Sequence, residues 1–155
     1  MGSGKSHWAK RMAKQLNLAC WDSDAQIEAM EGKSVAEIFQ ASGEKGFREL
    51  ERKWVEDLPQ IPQAVIATGG GLPCFSENLK TLKEKGWVVF LNPPKEKIFQ
   101  QLKKGINRRP LLQSSNWQET WVNTFNSRLD IYQEAHFEIR HPELPESWES
   151  VLKKF

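Results

Sequence analysis

Residues 1–10 read MGSGKSHWAK, and the fold turns on how Gly2-Ser3-Gly4-Lys5-Ser6 is understood. The pattern GxxxxGK[ST] marks a loop whose backbone N–H groups close around phosphate oxygens. Gly4, Lys5 and Ser6 fill its end, and Gly2 and Ser3 add small residues ahead of them. The first glycine of the pattern would lie two positions before Met1. Behind the loop, Trp8, Ala9, Met12, Ala13 and Leu16 recur at helical spacing, which predicts a helix over Lys5–Leu16. Such a helix aims its positive dipole end at the loop. Lys5 can then reach the outer phosphate oxygens of a nucleotide, and Ser6 offers a hydroxyl to Mg2+. A bare GKS is common, so the same residues also suit a glycine-rich helix start without a ligand. The rest of the chain has to decide.

Downstream, apolar strands alternate with amphipathic helices. "LACWD" (18–22), "AVIAT" (64–68), "WVVFLN" (87–92) and "FEIR" (137–140) read as strands. Helices are predicted over "DAQIEAME" (24–31), over "SVAEIFQ" (34–40) with Ser34 as N-cap, and over Glu44–Leu58. Others follow at Glu77–Lys85, in "PPKEKIFQQLKKG" (93–105), at Trp117–Ala135 and in "ESWESVLKKF" (146–155). Near-continuous apolar strands between helices predict an α/β fold, a parallel sheet with helices on both faces. No repeat or low-complexity segment interrupts the 155 residues, and a single domain over 1–155 is expected.

Composition narrows the function. Lys and Arg number 22 against 20 Asp and Glu, a net charge of +2. That is too small to favour nucleic acid or a membrane surface. No apolar run reaches membrane-spanning length, and the N-terminus has no signal-peptide pattern. Cys20 and Cys74 form neither a CxxC pair nor a zinc spacing, and they read as reduced thiols of a cytoplasmic protein. Most of the seven tryptophans are expected in the core.

Several polar residues stand where chemistry would use them. Asp22 and Asp24 follow the strand in "CWDSDAQIE". In open α/β sheets, ligands bind beyond the carboxyl ends of strands. One carboxylate can hold a metal's water shell while the other accepts a hydroxyl proton. An aspartate there equally suits a helix cap. Arg48 in "GEKGFREL" and Arg128 in "FNSRLDIY" lie beside apolar stripes, where a solvated helix arginine is the competing reading. Arg108 and Arg109 precede Pro110 in a polar stretch that suits a lid over transferring phosphates. Gly69, Gly70 and Gly71 follow "VIAT", and three glycines suit a turn whose backbone meets a ligand closely.

Taken in order, GSGKS, DSD, "GEKGFRELE", "TGGG", "RRPLL" and "SRLDIY" resemble the shikimate kinase family along the whole chain. The resemblance implies a P-loop fold of the nucleoside monophosphate kinase type. Its substrate-binding region would cover about 25–60 and its lid about 105–117. It implies that Gly2, Ser3, Gly4, Lys5, Ser6 and Arg109 bind ATP, and that Ser6 and Asp22 hold Mg2+. Asp24 would bind and help deprotonate the accepting hydroxyl. Arg48 and Arg128 would clamp the shikimate carboxylate, Gly70 and Gly71 would meet the ring through backbone, and Phe39 and Phe47 would line its apolar side. Lys5, Asp24 and Arg109 would be the catalytic groups of a monomeric enzyme making shikimate 3-phosphate and ADP.

Two departures from the family pattern stand out. A strand that lies centrally in the family's sheet, and a glycine after it, would precede GSGKS. Without that strand a gap with unpaired backbone groups is expected, together with poor folding and weak ATP binding. A start about ten residues upstream is the favoured explanation. On the adenine side, Leu102 occupies the place of a frequent arginine. Lys103 or Lys104, with Pro142 or Pro145, are the candidates to cover the base. A gluconate- or nucleoside-monophosphate-type kinase and a non-catalytic relative are the alternatives.

Overall fold

The computed structural model describes residues 2–58, 64–103 and 116–155. They fall into two compact units, Lys5–Trp87 and the described residues of 2–4 with 88–155.

In the first unit, α1 (Lys5–Leu16) leads into β1 (Ala19–Asp22), α2 (Ser23–Glu31) and α3 (Val35–Glu56). β2 (Ala64–Ala67), a 3-10 turn at Leu72–Cys74 and α4 (Asn78–Lys85) complete it. β1 and β2 are parallel, in register from Ala19 opposite Ala64 to Asp22 opposite Ala67. Both carboxyl ends therefore open at one edge, and the acids after β1 meet the glycines after β2. Ile27, Ile38, Phe47, Trp54, Val55, Leu58 and Leu72 form this unit's core.

Ser34 caps α3 as expected. Its hydroxyl accepts from the Glu37 backbone N–H while the Glu37 carboxylate accepts from the Ser34 N–H at 2.7 Å. The two helices predicted on either side of Gly43 run on as one element, kinked where Gly43 takes φ 67 and ψ −173. Only glycine adopts that conformation readily.

In the second unit, β3 (Val89–Leu91) pairs in parallel with β4 (Phe137–Ile139). α5 (Lys95–Lys103) and α6 (Trp117–Gln133) supply its core through Ile98, Leu102, Trp117 and Trp121. Phe125 stacks on Trp121 at 5.0 Å, and the Phe99 ring meets both tryptophans edge-on. α7 is shorter than expected, Glu149–Leu152, because Pro145 opens a 3-10 turn that runs to Trp148.

The parallel, alternating α/β pattern holds. Among the described residues the strands hydrogen-bond in twos, β1 with β2 and β3 with β4. They are less buried than their apolar sequences suggest: Ala19, Cys20 and Glu138 are exposed. Four tryptophans are buried, and Trp87 alone of the seven is exposed.

Candidate active site

The carboxyl ends of β1 and β2 carry a connected set of polar groups. Asp22 stands where β1 passes into α2. Its Oδ1 caps α2, accepting from the backbone N–H of Asp24 at 3.2 Å and of Ala25 at 3.5 Å. Its Oδ2 accepts from the Ser6 hydroxyl at 3.2 Å. One carboxylate thus ties the start of α1 to the start of α2.

Between the two acids, Ser23 is fully buried. Its hydroxyl accepts from the Gly69 N–H at 2.8 Å and donates to Asp24 Oδ1 at 3.3 Å. Burial and the neighbouring Asp22 raise the Asp24 pKa above the ordinary carboxylate value, against the Ser23 hydrogen bond and the Lys5 charge. A carboxylate so raised is a better proton acceptor. Gly69 comes close to both acids: a Cβ on it would sit 2.8 Å from Asp24 Oδ1 and 3.4 Å from Glu51 Oε1.

Arg48 is the second focus. Its Nη1 donates to Glu51 Oε2 at 2.6 Å, and Glu51 is fully buried. Its Nε and Nη2 donate to Glu44 Oε1 at 3.2 and 2.9 Å. The guanidinium lies over the Phe75 ring at 4.3 Å and near Phe47 at 5.6 Å. Burial pulls its pKa down, but the hydrogen bonds to Glu51 and Glu44 outweigh this and the net shift is upward. A Cβ on Gly71 would stand 2.6 Å from Nη1 and 2.7 Å from Nη2. One glycine turn therefore meets Asp24 at its first residue and Arg48 at its third. Gly70, between them, accepts from the Cys74 thiol at 3.9 Å.

In the glycine loop, Gly2 and Gly4 take φ of 82 and 84. Gly2 packs on α5, where a Cβ would come within 2.8 Å of Leu102. Leu102 is fully buried there, and Ser3 is buried too. α1 opens at Lys5 with no acidic residue of its own in the first turn, and the Asp22 carboxylate meets that end from β1. Ser6 and Asp22 offer a metal ion two oxygens. No group of three or more His, Cys, Asp or Glu able to hold a metal occurs among the described residues. Two side-chain oxygens, one from a carboxylate, are a donor set that fits Mg2+, which keeps several waters and takes phosphate oxygens.

Of the other expected residues, Phe39 and Phe47 pack together at 4.9 Å. Arg128 is half-buried on α6, in the other unit from Arg48. Lys103 is exposed at the end of α5. Pro142 is buried and its carbonyl accepts from the Trp148 indole at 2.8 Å. Lys104, Arg108, Arg109 and Pro110 lie outside the described residues. Ser23, Glu44, Glu51 and Phe75 escaped the sequence reading. Only Glu44 and Glu51 left a signal, standing four before and three after Arg48 on a helix.

The shikimate kinase family model matches residues 1–154. The chain belongs to the shikimate kinase family. It is 35% identical over 152 residues to a shikimate kinase of Bacteroides thetaiotaomicron, covering 96% of this chain and 87% of that one. It is 39% identical over 139 residues to one of Persephonella marina, covering 90% and 83%. The crystal structure of the Bacteroides thetaiotaomicron shikimate kinase superposes with a TM-score of 0.85 at 33% identity, over 99% of this chain and 90% of that one. A shikimate kinase of Acinetobacter baumannii in complex with shikimate superposes with 0.81 at 33% identity, over 99% and 85%. Identity at this level over nearly the whole chain makes the P-loop α/β fold a property of this chain. No helix among its described residues is long and apolar enough to cross a membrane.

Proposed function

We propose that the chain is an ATP-dependent shikimate kinase, which transfers the γ-phosphoryl group of ATP to the 3-hydroxyl of shikimate. The products are shikimate 3-phosphate and ADP, a step in chorismate and aromatic amino acid biosynthesis. The observation that supports this best is the glycine turn at 69–71, which meets a proton acceptor, Asp24, and a guanidinium, Arg48. A small anionic polyol needs both: a carboxylate for the reacting hydroxyl and a planar fork for its own carboxylate.

In this reading Gly2, Ser3, Gly4, Lys5 and Ser6 bind the phosphates of ATP, with Lys5 on the β- and γ-oxygens. Ser6 and Asp22 would hold Mg2+, which would supply charge neutralisation at the phosphates. Asp24, with its raised pKa, orients the 3-hydroxyl and takes its proton as the phosphoryl group leaves ATP. Arg48 and Arg128 receive the shikimate carboxylate, and Gly70 and Gly71 meet the ring. Arg109 supplies positive charge to the transferring group. Phosphoryl transfer asks mainly for positioning and charge neutralisation, and these residues supply both. The chain acts as one kinase domain over 1–155, with a substrate-binding region near 25–60 and a lid near 105–117. It works as a cytoplasmic monomer without nucleic acid or membrane.

A coupled ADP-release assay tests the reading, with shikimate, gluconate and nucleoside monophosphates as acceptors. Shikimate-dependent turnover that Asp24→Asn lowers by about 10²–10⁴-fold is expected. Release driven by gluconate or a nucleoside monophosphate, and not by shikimate, would transfer the chain to another small-molecule kinase class. Absence of nucleotide binding would make it a non-catalytic relative.

A further inference from the structure

Ser23 stands between the two acids, and no step of the proposed reaction uses it. Asp22 pairs with Ala67 at the end of the β1–β2 register, so Ser23 and the glycine turn after β2 lie side by side. The serine is fully buried, and a buried hydroxyl needs partners. Ser23 has two, accepting from the Gly69 N–H at 2.8 Å and donating to Asp24 Oδ1 at 3.3 Å. One hydroxyl thus joins the carboxylate read as proton acceptor to the turn read as meeting the shikimate ring.

The two oxygens of Asp24 are not equivalent. Oδ1 is held by Ser23 and faces Gly69, where a Cβ would come within 2.8 Å of it. Among the described residues Oδ2 makes no hydrogen bond, and it is not buried. The backbone of Asp24 is fixed separately, its N–H donating to Asp22 Oδ1 at 3.2 Å. What freedom this carboxylate keeps is rotation of its side chain, and the Ser23 bond opposes that rotation. The same bond lowers the Asp24 pKa, so Ser23 does not act by strengthening the base. What it supplies is direction.

We propose that Ser23 is a positioning residue: its hydroxyl holds Oδ1 of Asp24 against the glycine turn, so that Oδ2 is the oxygen that takes the proton of the accepting hydroxyl. The inference rests on the reading of Asp24 as proton acceptor. As the substrate O–H bond breaks, its proton passes to Oδ2 and the substrate oxygen bonds the γ-phosphorus. ADP leaves with the electrons of the broken P–O bond. A base turned away from that line loses rate, since a misplacement of about 1 Å costs up to about 10²-fold.

Steady-state kinetics of the whole chain tests this, with Ser23→Ala, Ser23→Cys, Asp24→Asn and the double variant Ser23→Ala/Asp24→Asn. Both Ser23 variants remove the hydroxyl. Alanine leaves a small void and cysteine fills the site with a weak donor, so cysteine decides should alanine fail to fold. Circular dichroism checks folding at the assay temperature. Expected in both is a kcat lowered about ten-fold, with the KM for ATP within about two-fold of wild type. In the Asp24→Asn background Ser23→Ala should lower kcat by less than about two-fold, because the group it positions is gone. An equal fall in both backgrounds overturns the proposal, since Ser23 then acts by another route. Unchanged kcat in the folded Ser23 variants, with Asp24→Asn impaired, also overturns it and leaves Ser23 as a partner for the Gly69 amide alone. An unimpaired Asp24→Asn removes Asp24 as proton acceptor, and the proposal falls with it.

Discussion

The Asp24 carboxyl is held above its ordinary range first by burial and then by Asp22, against the hydrogen bond from Ser23 and the charge of Lys5. An acid whose pKa is higher in the folded than in the unfolded chain takes up protons on folding. It therefore subtracts stability above its raised value and ceases to do so as the pH falls to the ordinary carboxylate value. In metal-free protein, Asp24→Asn is expected to raise the melting temperature at pH 8 while lowering kcat by about 10²–10⁴-fold. The gain should shrink as the pH is lowered through that window, which a calorimetric pH series would show. A melting temperature that falls at pH 8 would mean that the Ser23 bond outweighs the desolvation. At Gly71 the expectation is opposite in kind. An added Cβ would press on the guanidinium of Arg48, the end of a flexible side chain, rather than on backbone. Gly71→Ala should therefore change stability by less than about 1 kcal/mol yet raise the KM for shikimate by about ten-fold, with the KM for ATP little altered. Steady-state kinetics on both substrates checks this. Asp22 and Asp24 drew notice by their type and their place after a strand, whereas Arg48 stood out only through the family resemblance. Ser23 did not, since a serine between two aspartates reads as a spacer until the parallel register brings Gly69 to its hydroxyl. Glu51 sits in an acid- and base-rich helix and reads as solvated, and only the packing of α3 buries it.

Among the elements, the cap and apolar stripe of α3 were legible because their signals are local. The capping box at Ser34 and Glu37 lies within four residues, and the apolar stripe of Phe47, Trp54 and Val55 within three turns. The lengths of β3 and β4 depend instead on partners distant in sequence, and each spans three residues. The break in α3 shows what a single glycine can specify. Gly43 separates the capped start of the helix from the half that carries Glu44, Arg48 and Glu51. Its φ and ψ fall in a region closed to residues with a Cβ, at about 1–3 kcal/mol for a forced occupant. Gly43→Ala has no steric neighbour to meet, so the loss should come from the backbone alone. Urea denaturation is expected to show a loss of about 1–3 kcal/mol. If the helix straightens instead, stability will be retained and shikimate affinity will fall, because Arg48 turns with its helix. A variant unchanged in both would show that the kink is unimportant.

At the scale of the whole molecule, the order of motifs identifies the family, but the strength of the assembled structure is not visible in any motif. Among the described residues the strands are three or four residues long and hydrogen-bond in twos. Ligands that bind the native state favour it by mass action. A ligand at a hundred times its Kd contributes about 2.7 kcal/mol. For a chain of this length that is a melting temperature higher by about 5–10 °C. Shikimate and Mg·ATP use different residues in the proposed site, so their effects should separate. Lys5 is the first residue of α1, where alanine is a strong helix former and leaves the fold intact. Differential scanning fluorimetry of Lys5→Ala should therefore lose most of the shift given by Mg·ATP and keep the whole shift given by shikimate. Arg48→Lys should do the reverse, because a lysine at position 48 retains a charge for Glu51 but not the planar fork. Loss of both shifts in Lys5→Ala would mean that the substitution damages the fold, and a retained ATP shift would remove Lys5 from the nucleotide site.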